Sequence, residues 1–172
     1  MSTVVLEGLP GAGKTTLARR LSQALPHLAV VPELALPAPS RPTLEFFVTN
    51  DTHKARVIGA GGTALYDRYW PSTVAYVLAE EQPTGRRRVA DAVERLYGRP
   101  LPEPTAYVFL DSPRALERSY ATDGLFGQRD FRERLRTAYH DVLAWTGTPS
   151  LVAGDDETEI ADRYVRNCLG TA

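Results

Sequence analysis

The feature that most constrains this chain is a glycine-rich run near its start, residues 8–15, which reads GLPGAGKT. It matches the pattern G-x-x-x-x-G-K-[ST], a loop whose backbone wraps around phosphate groups. The flanking residues suit this loop, because residues 3–7 have the apolar character of a short buried strand and residues 14–25 have the pattern of a helix. A strand, this loop and a helix in that order predict a phosphate-binding site within an α/β fold.

Each part of the loop has a physical role in that prediction. Glycines allow the backbone to approach a triphosphate closely, since a side chain there would collide with it. The backbone N–H groups and the N-terminus of the helix present positive potential to the phosphates. Lys14 is expected to reach the β- and γ-phosphates of ATP, and the Thr15 hydroxyl is expected to bind Mg²⁺. The residues expected to bind the nucleotide are Gly8, Pro10, Gly11, Ala12, Gly13, Lys14, Thr15 and Thr16.

The composition is typical of one compact domain. The 172 residues, of which 43% are hydrophobic, predict a single domain with one core over residues 1–172. A formal net charge of −1 gives no general attraction to nucleic acid or to an anionic membrane. Cys168 is the only cysteine, which excludes an intrachain disulfide and a cysteine metal site. We find no targeting segment or membrane span, and therefore expect a cytoplasmic protein with no nucleic-acid or membrane partner.

Apolar runs alternate with helical patterns along the whole chain. Strands are expected at residues 3–7, 28–31, 63–66, 106–110 and 150–152, and helices at 14–25, 43–58, 72–81, 85–96, 113–121, 130–145 and 157–169. This alternation predicts a parallel sheet of about five strands with helices on both faces, a three-layer α/β/α fold. Ligands bind at the carboxyl ends of the strands in such sheets. The phosphate-binding loop, Glu33 and residues 67–68 are therefore expected in one cleft.

Two charged residues, Asp67 and Arg68, directly follow the third expected strand. An enzyme with this loop needs a carboxylate near Mg²⁺, often acting through water, and Asp67 is placed for that role. Arg68 is placed to hold the acceptor of the phosphoryl group or to orient Glu33. The alternative is that Asp67 caps the following helix and Arg68 is a solvated surface charge.

Several segments resemble thymidylate kinases and related deoxynucleoside kinases. Residues 3–16 resemble the opening of these proteins, and residues 66–76, YDRYWPSTVAY, resemble their Asp-Arg-Tyr segment. Residues 107–113 resemble the strand before their lid, and residues 131–139 resemble the helix after it. The resemblance implies a P-loop kinase fold with a short helical lid at about residues 114–134. It also implies ATP and Mg²⁺ as cofactors, and transfer of the ATP γ-phosphoryl group to a nucleoside or a nucleoside monophosphate.

The resemblance also implies roles for individual residues. Glu33 occupies the place of the carboxylate that acts as a base toward the sugar hydroxyl, and a lid arginine would stabilise charge on the transferring group. The residues expected in catalysis are Lys14, Glu33, Asp67, Arg68, Arg118 and Arg129, with Thr15 and Asp67 at the metal. The residues expected to bind the acceptor are Glu33, Arg41, Phe47, Asn50, Arg68 and Tyr76. For the two aromatic residues, burial in the core is the ordinary alternative.

The expected acceptor wall, residues 41–54, departs most from the family. Thymidylate kinases carry an arginine on the second helix that reads the pyrimidine, whereas this chain has NDTHK at residues 50–54. Asn50 and Asp51 are interpreted either as a different hydrogen-bonding edge or as surface residues. The acceptor therefore stays open between a nucleoside, a nucleoside monophosphate and another small alcohol.

The sequence is also compatible with a second function. This alternative is a P-loop kinase that phosphorylates a hydroxyl of a non-nucleotide small molecule, such as an antibiotic or a metabolite. A switch of the GTPase type is disfavoured, because the chain has no Asn-Lys-x-Asp motif at the end of a late strand. Relatives in the resembling family are often homodimers, and the sequence identifies no dimer face.

Overall fold

The computed structural model describes residues 2–60, 62–81, 86–117 and 124–170. Its strands are β1 (Thr3–Gly8), β2 (Ala29–Val31), β3 (Ala64–Asp67), β4 (Ala106–Leu110) and β5 (Ser150–Ala153). They form one five-stranded sheet in the order β2-β3-β1-β4-β5, and every neighbouring pair is parallel. The central strand, β1, is buried along its whole length, because it is paired on both edges and covered on both faces.

Helices connect these strands, as parallel pairing requires. They are α1 (Lys14–Ala24), α2 (Leu44–Ala60), α3 (Trp70–Glu81), α4 (Arg86–Tyr97), α5 (Pro113–Glu117), α6 (Arg129–Thr146) and α7 (Thr158–Leu169). A short 3-10 helix, Leu125–Gly127, precedes α6.

Alternate side chains of the strands enter two separate hydrophobic clusters, one on each face of the sheet. On one face Val5 and Phe109 pack with apolar residues of α2, α3, α4 and α6. On the other face Leu6 and Val108 pack with residues of α1 and α7. The predicted three-layer α/β/α fold with a parallel sheet is therefore confirmed.

The element boundaries differ from the sequence prediction in a few places. The helix expected to end before Gly59 continues through that glycine to Ala60. The third helix begins at Trp70, two residues before its predicted start, because the Trp70 indole is buried and packs edge-on against Trp145 with ring centroids 6.0 Å apart. The 3-10 helix lies between the helices predicted at 113–121 and 130–145, and only residues 113–117 of the first of these are described.

A threonine caps the start of α2. The hydroxyl of Thr43 accepts the backbone N–H of Phe46 at 3.3 Å. Across the described residues, we find no helix that is long and apolar enough to span a membrane.

Candidate active site

The glycine-rich loop joins the end of β1 to the start of α1. Two of its glycines adopt backbone conformations that residues with side chains disfavour. Gly8 has φ +143, and a Cβ atom there would lie 2.6 Å from the carbonyl oxygen of Leu110 on the neighbouring strand. Gly13 has φ +96 and caps α1 in a left-handed conformation that side chains disfavour. The loop is thereby held open at the N-terminus of α1, where N–H groups can face an anion.

Lys14 is the first residue of α1, and its ammonium group is turned back onto the loop. Its Nζ atom donates to the carbonyl oxygens of Gly8 and Leu9, each at 3.0 Å. Burial, with a contribution from the positive charge of Arg68, lowers the pKa of Lys14 to about 7. A nearby phosphate would favour the charged form, so this ammonium group suits an anionic ligand.

The end of β3 places two charged residues beside the loop. Asp67 Oδ1 is buried and has no hydrogen-bond partner among the described residues. Arg68 has φ +61, a left-handed conformation that is unusual for a residue with a side chain. Lys54 donates to the carbonyl oxygens of both residues at 2.9 Å, and the Arg68 N–H donates to the Leu6 carbonyl at 2.9 Å. These bonds hold the backbone in the turn that directs Arg68 inward.

The guanidinium group of Arg68 contacts partners on α3, on α6 and on the loop that follows β2. Its Nη1 atom donates to the Tyr139 hydroxyl at 2.6 Å and to Ser72 Oγ at 3.1 Å, and its Nε atom lies 3.1 Å from Glu33 Oε1. Only 13% of its side chain is exposed, whereas 51% of the Glu33 side chain is exposed. Burial acts to lower the pKa of Arg68, but Tyr139, Glu33 and other nearby groups raise it overall. Arg68 is therefore a fixed positive charge inside the site and not a solvated surface residue.

Glu7 lies beneath this arginine and was not expected in the site. It is wholly buried, and its carboxylate accepts the backbone N–H of Tyr69 at 2.9 Å and the hydroxyl of Ser72. Burial raises its pKa to about 7 against the opposing effect of Arg68. Ser72 also lies 2.7 Å from the Tyr139 hydroxyl, so Glu7 and Arg68 share one hydrogen-bonded network.

A cavity of about 650 Å³ joins the loop to the helices above it. Most residues predicted for catalysis or binding line it: Pro10, Gly11, Lys14, Thr15, Glu33, Phe47, Asn50, Asp67, Arg68 and Tyr76. Sequence reasoning did not single out several further polar wall residues, among them Ser72, Thr73 and Tyr139. Ser72 and Thr73 fall inside the Asp-Arg-Tyr segment, so that segment was the signal that could have found them.

Three predicted arginines are not brought to this cavity by the described structure. Arg41 is exposed and does not line it. Arg129 is exposed at the start of α6 and forms an ion pair with Glu133 one turn later, at 2.9 Å. Arg118 lies outside the described residues. Within the segment predicted as a lid, Arg132 donates to the carbonyls of Leu116 and Phe126.

Asn50 and Asp51 are both buried, so the surface alternative does not describe them. The Asn50 side-chain amide donates to the Glu33 carbonyl at 2.9 Å and accepts the N–H groups of Ala35 and Leu36 at 2.8 and 3.2 Å. Asn50 therefore braces the loop that carries Glu33.

Aromatic side chains form the apolar part of the cavity wall. Tyr76 packs against Phe126 and Phe131 with ring centroids 5.7 and 5.4 Å apart, and Phe126 belongs to the 3-10 helix. Phe47 lies in edge-on contact with Phe46 at 5.7 Å. Both predicted aromatic residues, Phe47 and Tyr76, are half-buried and line the cavity as well as packing in the protein.

Thymidylate kinases and a deoxyadenosine kinase are similar to this chain. The thymidylate kinase of Xanthomonas euvesicatoria pv. vesicatoria (strain 85-10) is 28% identical over 162 residues, covering 79% of this chain and 70% of that protein. The structure of thymidylate kinase from Candida albicans has a TM-score of 0.70 at 19% identity, covering 99% of this chain and 91% of that one. Deoxyadenosine kinase from M. mycoides, with bound dATP, has a TM-score of 0.68 at 14% identity, covering 98% and 99%. No protein-family model matches the chain.

The structural neighbours share the fold over almost the whole chain, and the sequence relative is of the same class. The predicted resemblance to P-loop nucleoside and nucleotide kinases is therefore confirmed.

Proposed function

We propose that this chain, with the fold of the nucleoside and nucleotide kinases, transfers the γ-phosphoryl group of ATP to a nucleoside or a nucleoside monophosphate. The observation that carries the proposal is the cavity that Lys14 and Thr15 share with Glu33 and Arg68. A phosphate-binding loop and a wall with a carboxylate and an arginine meet in one space. In-line transfer needs this arrangement, because the donor phosphate and the acceptor oxygen must be held close together.

The residues of the loop and β3 also fit a magnesium ion. Asp67 Oδ1 is a buried carboxylate oxygen without a partner among the described residues, and Thr15 lies on the wall of the same cavity. Carboxylate and hydroxyl oxygens are hard ligands of the type that Mg²⁺ takes beside phosphates. We assign Thr15 and Asp67 to this ion, which would neutralise charge on the phosphates when bound.

Glu33 and Arg68 have different roles toward the acceptor. For a hydroxyl acceptor, Glu33 is the candidate base, since its side chain is half exposed to the cavity and ion-paired on one oxygen. For a phosphate acceptor no strong base is needed, and Glu33 would contact the sugar or a metal-bound water. Arg68 keeps its positive charge in either case and would hold the acceptor.

Other parts of the prediction belong with this proposal. A lid at about residues 114–134 within a single domain over residues 1–172 would supply an arginine, Arg118 or Arg129, to the transferring group. Arg41 would contact an acceptor phosphate from the edge of the wall. Assembly as a homodimer is part of the same proposal, by analogy with the family.

The alternative of a kinase for a non-nucleotide alcohol is not favoured. The sequence relative and the structural neighbours act, by name, on thymidylate or deoxyadenosine. The half-buried aromatic residues on the cavity wall also suit a flat base.

The test is a coupled assay of ADP release with ATP and Mg²⁺ against nucleosides, nucleoside monophosphates and unrelated alcohols. We expect selective turnover of nucleosides or monophosphates. Lys14→Ala should abolish turnover in a folded protein, because it removes the ammonium group from the loop. Arg19→Ala, on an exposed position of the same helix, is the matched control and should keep normal turnover.

Turnover of alcohols alone would overturn the assignment of the acceptor. Near-normal turnover by Lys14→Ala would overturn the role of the loop itself.

A further inference from the structure

Asp51 lies on the cavity wall with a carboxylate that uses one of its two oxygens. The residue is 4% exposed. Oδ2 accepts the hydroxyls of Thr73 and Tyr97 at 2.6 and 2.7 Å. Oδ1 accepts no hydrogen bond from the part of the chain that the structure describes. This oxygen is not one of the fully buried unpaired atoms of the described residues, so it keeps some exposure on the cavity wall, where a donor on a ligand can reach it.

The arrangement around Asp51 makes it an acceptor of hydrogen bonds. Both hydroxyls donate to the same oxygen, which matches an ionised carboxylate. Lys54, nearly one helical turn later, supplies positive charge nearby, although its own hydrogen bonds go to the carbonyls at the end of β3. The remaining oxygen of Asp51 therefore suits a ligand N–H and disfavours a ligand carbonyl.

Asp51 lies on the cavity wall together with aromatic side chains. Phe47 and Asp51 are four residues apart on α2, and this spacing places them on the same face of the helix. From α3, Thr73 and Tyr76 line the same cavity. A planar base that packs against these aromatic rings would present its edge to the carboxylate.

We propose that Asp51 determines the base specificity of the acceptor site, and that the chain prefers acceptors whose base carries an amino group over those with a keto group there. This inference rests on the proposed function. The amino groups of cytosine and adenine donate hydrogen bonds, whereas O4 of thymine only accepts them. A carboxylate that faces a carbonyl oxygen leaves two acceptors unpaired, and sites built on hydrogen bonds reject such analogues strongly.

The experiment uses pairs of acceptors that differ in this one group, deoxycytidine with deoxyuridine and deoxyadenosine with deoxyinosine, together with their monophosphates. We expect kcat/KM for the amino member to exceed that for the keto member by at least about 100-fold in one pair. Dissociation constants from calorimetry, with no phosphoryl transfer, should show the same order. Asp51→Asn replaces the free acceptor with an amide that can also donate, and should reduce the ratio at least about 10-fold, largely by improving the keto member.

Tyr97→Phe is the matched control. It removes a hydroxyl that touches Asp51, but Tyr97 does not line the cavity, so stability should fall while the ratio changes little. If Asp51→Asn does not fold, Asp51→Ser serves in its place, because a hydroxyl both donates and accepts and should also lower the ratio.

Each outcome decides between the two proposals. Equal or keto-preferring values with the wild-type chain, or an unchanged ratio in the folded Asp51 variant, would overturn the role of Asp51 and leave the phosphotransferase proposal standing. Absence of transfer to every nucleoside and monophosphate would overturn the proposed function itself.

Discussion

Glu7→Gln should remove a pH dependence of the free energy of unfolding that arises from the burial of Glu7. Glu7 is wholly buried on β1, and its pKa is raised from the ordinary value of 4.5 to about 7. The folded chain therefore binds more protons than the unfolded chain between those two pH values. The stability that this group contributes is complete below pH 4.5 and is lost as the pH rises through about 7. At about 1.4 kcal/mol per pKa unit, the loss is about 3 kcal/mol.

Glutamine suits this position because it keeps the shape and most of the hydrogen bonds. Its carbonyl oxygen can accept the Tyr69 N–H, and its amide can donate to the Ser72 oxygen. The quantity to measure is the difference in free energy of unfolding between variant and wild type, from urea titrations at pH 5, 6, 7 and 8. The pKa of Lys14 is also about 7, and taking the difference removes most of its contribution, because Glu7 is only a minor cause of that shift. The difference should shift in favour of the variant by about 2–3 kcal/mol from pH 5 to pH 8.

Glu81→Gln is the control for this experiment, because Glu81 is exposed and forms an ion pair with Arg95 at the surface. It should change the free energy of unfolding by less than about 1 kcal/mol at each pH. A difference between Glu7→Gln and wild type that stays constant from pH 5 to pH 8 would refute the reasoning, since it would mean that burial does not perturb Glu7.

Two further substitutions test how the backbone around the site is held. Asn50→Ala removes the amide that makes three hydrogen bonds to the loop of Glu33. The free energy of unfolding, from urea titration, should therefore fall by about 2–3 kcal/mol. In steady-state kinetics KM for the acceptor should rise more than kcat falls, and unchanged stability and KM would contradict the bracing role. Gly8→Ala places a Cβ atom against the Leu110 carbonyl in a left-handed backbone. The free energy of unfolding, from thermal and urea unfolding, should fall by at least about 2 kcal/mol. A variant as stable as the wild type would show that the loop can relax.

Much of the fold could be predicted from the sequence because the determinants are local. The glycine-rich loop, the apolar strands and the helical patterns are read from neighbouring residues, and the order of elements then requires a parallel sheet. The sequence also predicted that Lys14, Glu33 and Arg68 share one cleft, because ligands bind at the carboxyl ends of parallel strands. Boundaries were less accurate, as at Trp70, because the start of α3 depends on a distant tryptophan that buries the ring.

The site itself depended on tertiary contacts. Glu7 is separated from Ser72 by 65 residues, and Arg68 from Tyr139 by 71, so no local pattern reports their hydrogen bonds. The role of Asn50 as a brace was likewise not readable, because its partners are backbone groups of another loop.

By itself the sequence determined that a glycine-rich loop of the phosphate-binding pattern precedes the first helix and that the strands run parallel, because glycine geometry and apolar periodicity act over a few residues. Only the tertiary structure decided which charges are buried together. Burial raises the pKa of Glu7, Tyr139 and Glu33 help Arg68 to keep its positive charge, and Thr73 and Tyr97 bind one oxygen of Asp51. Most of these partners lie far from one another in the sequence. Burial is a property of the assembled layers, and it is what turns ordinary acidic and basic residues into a site.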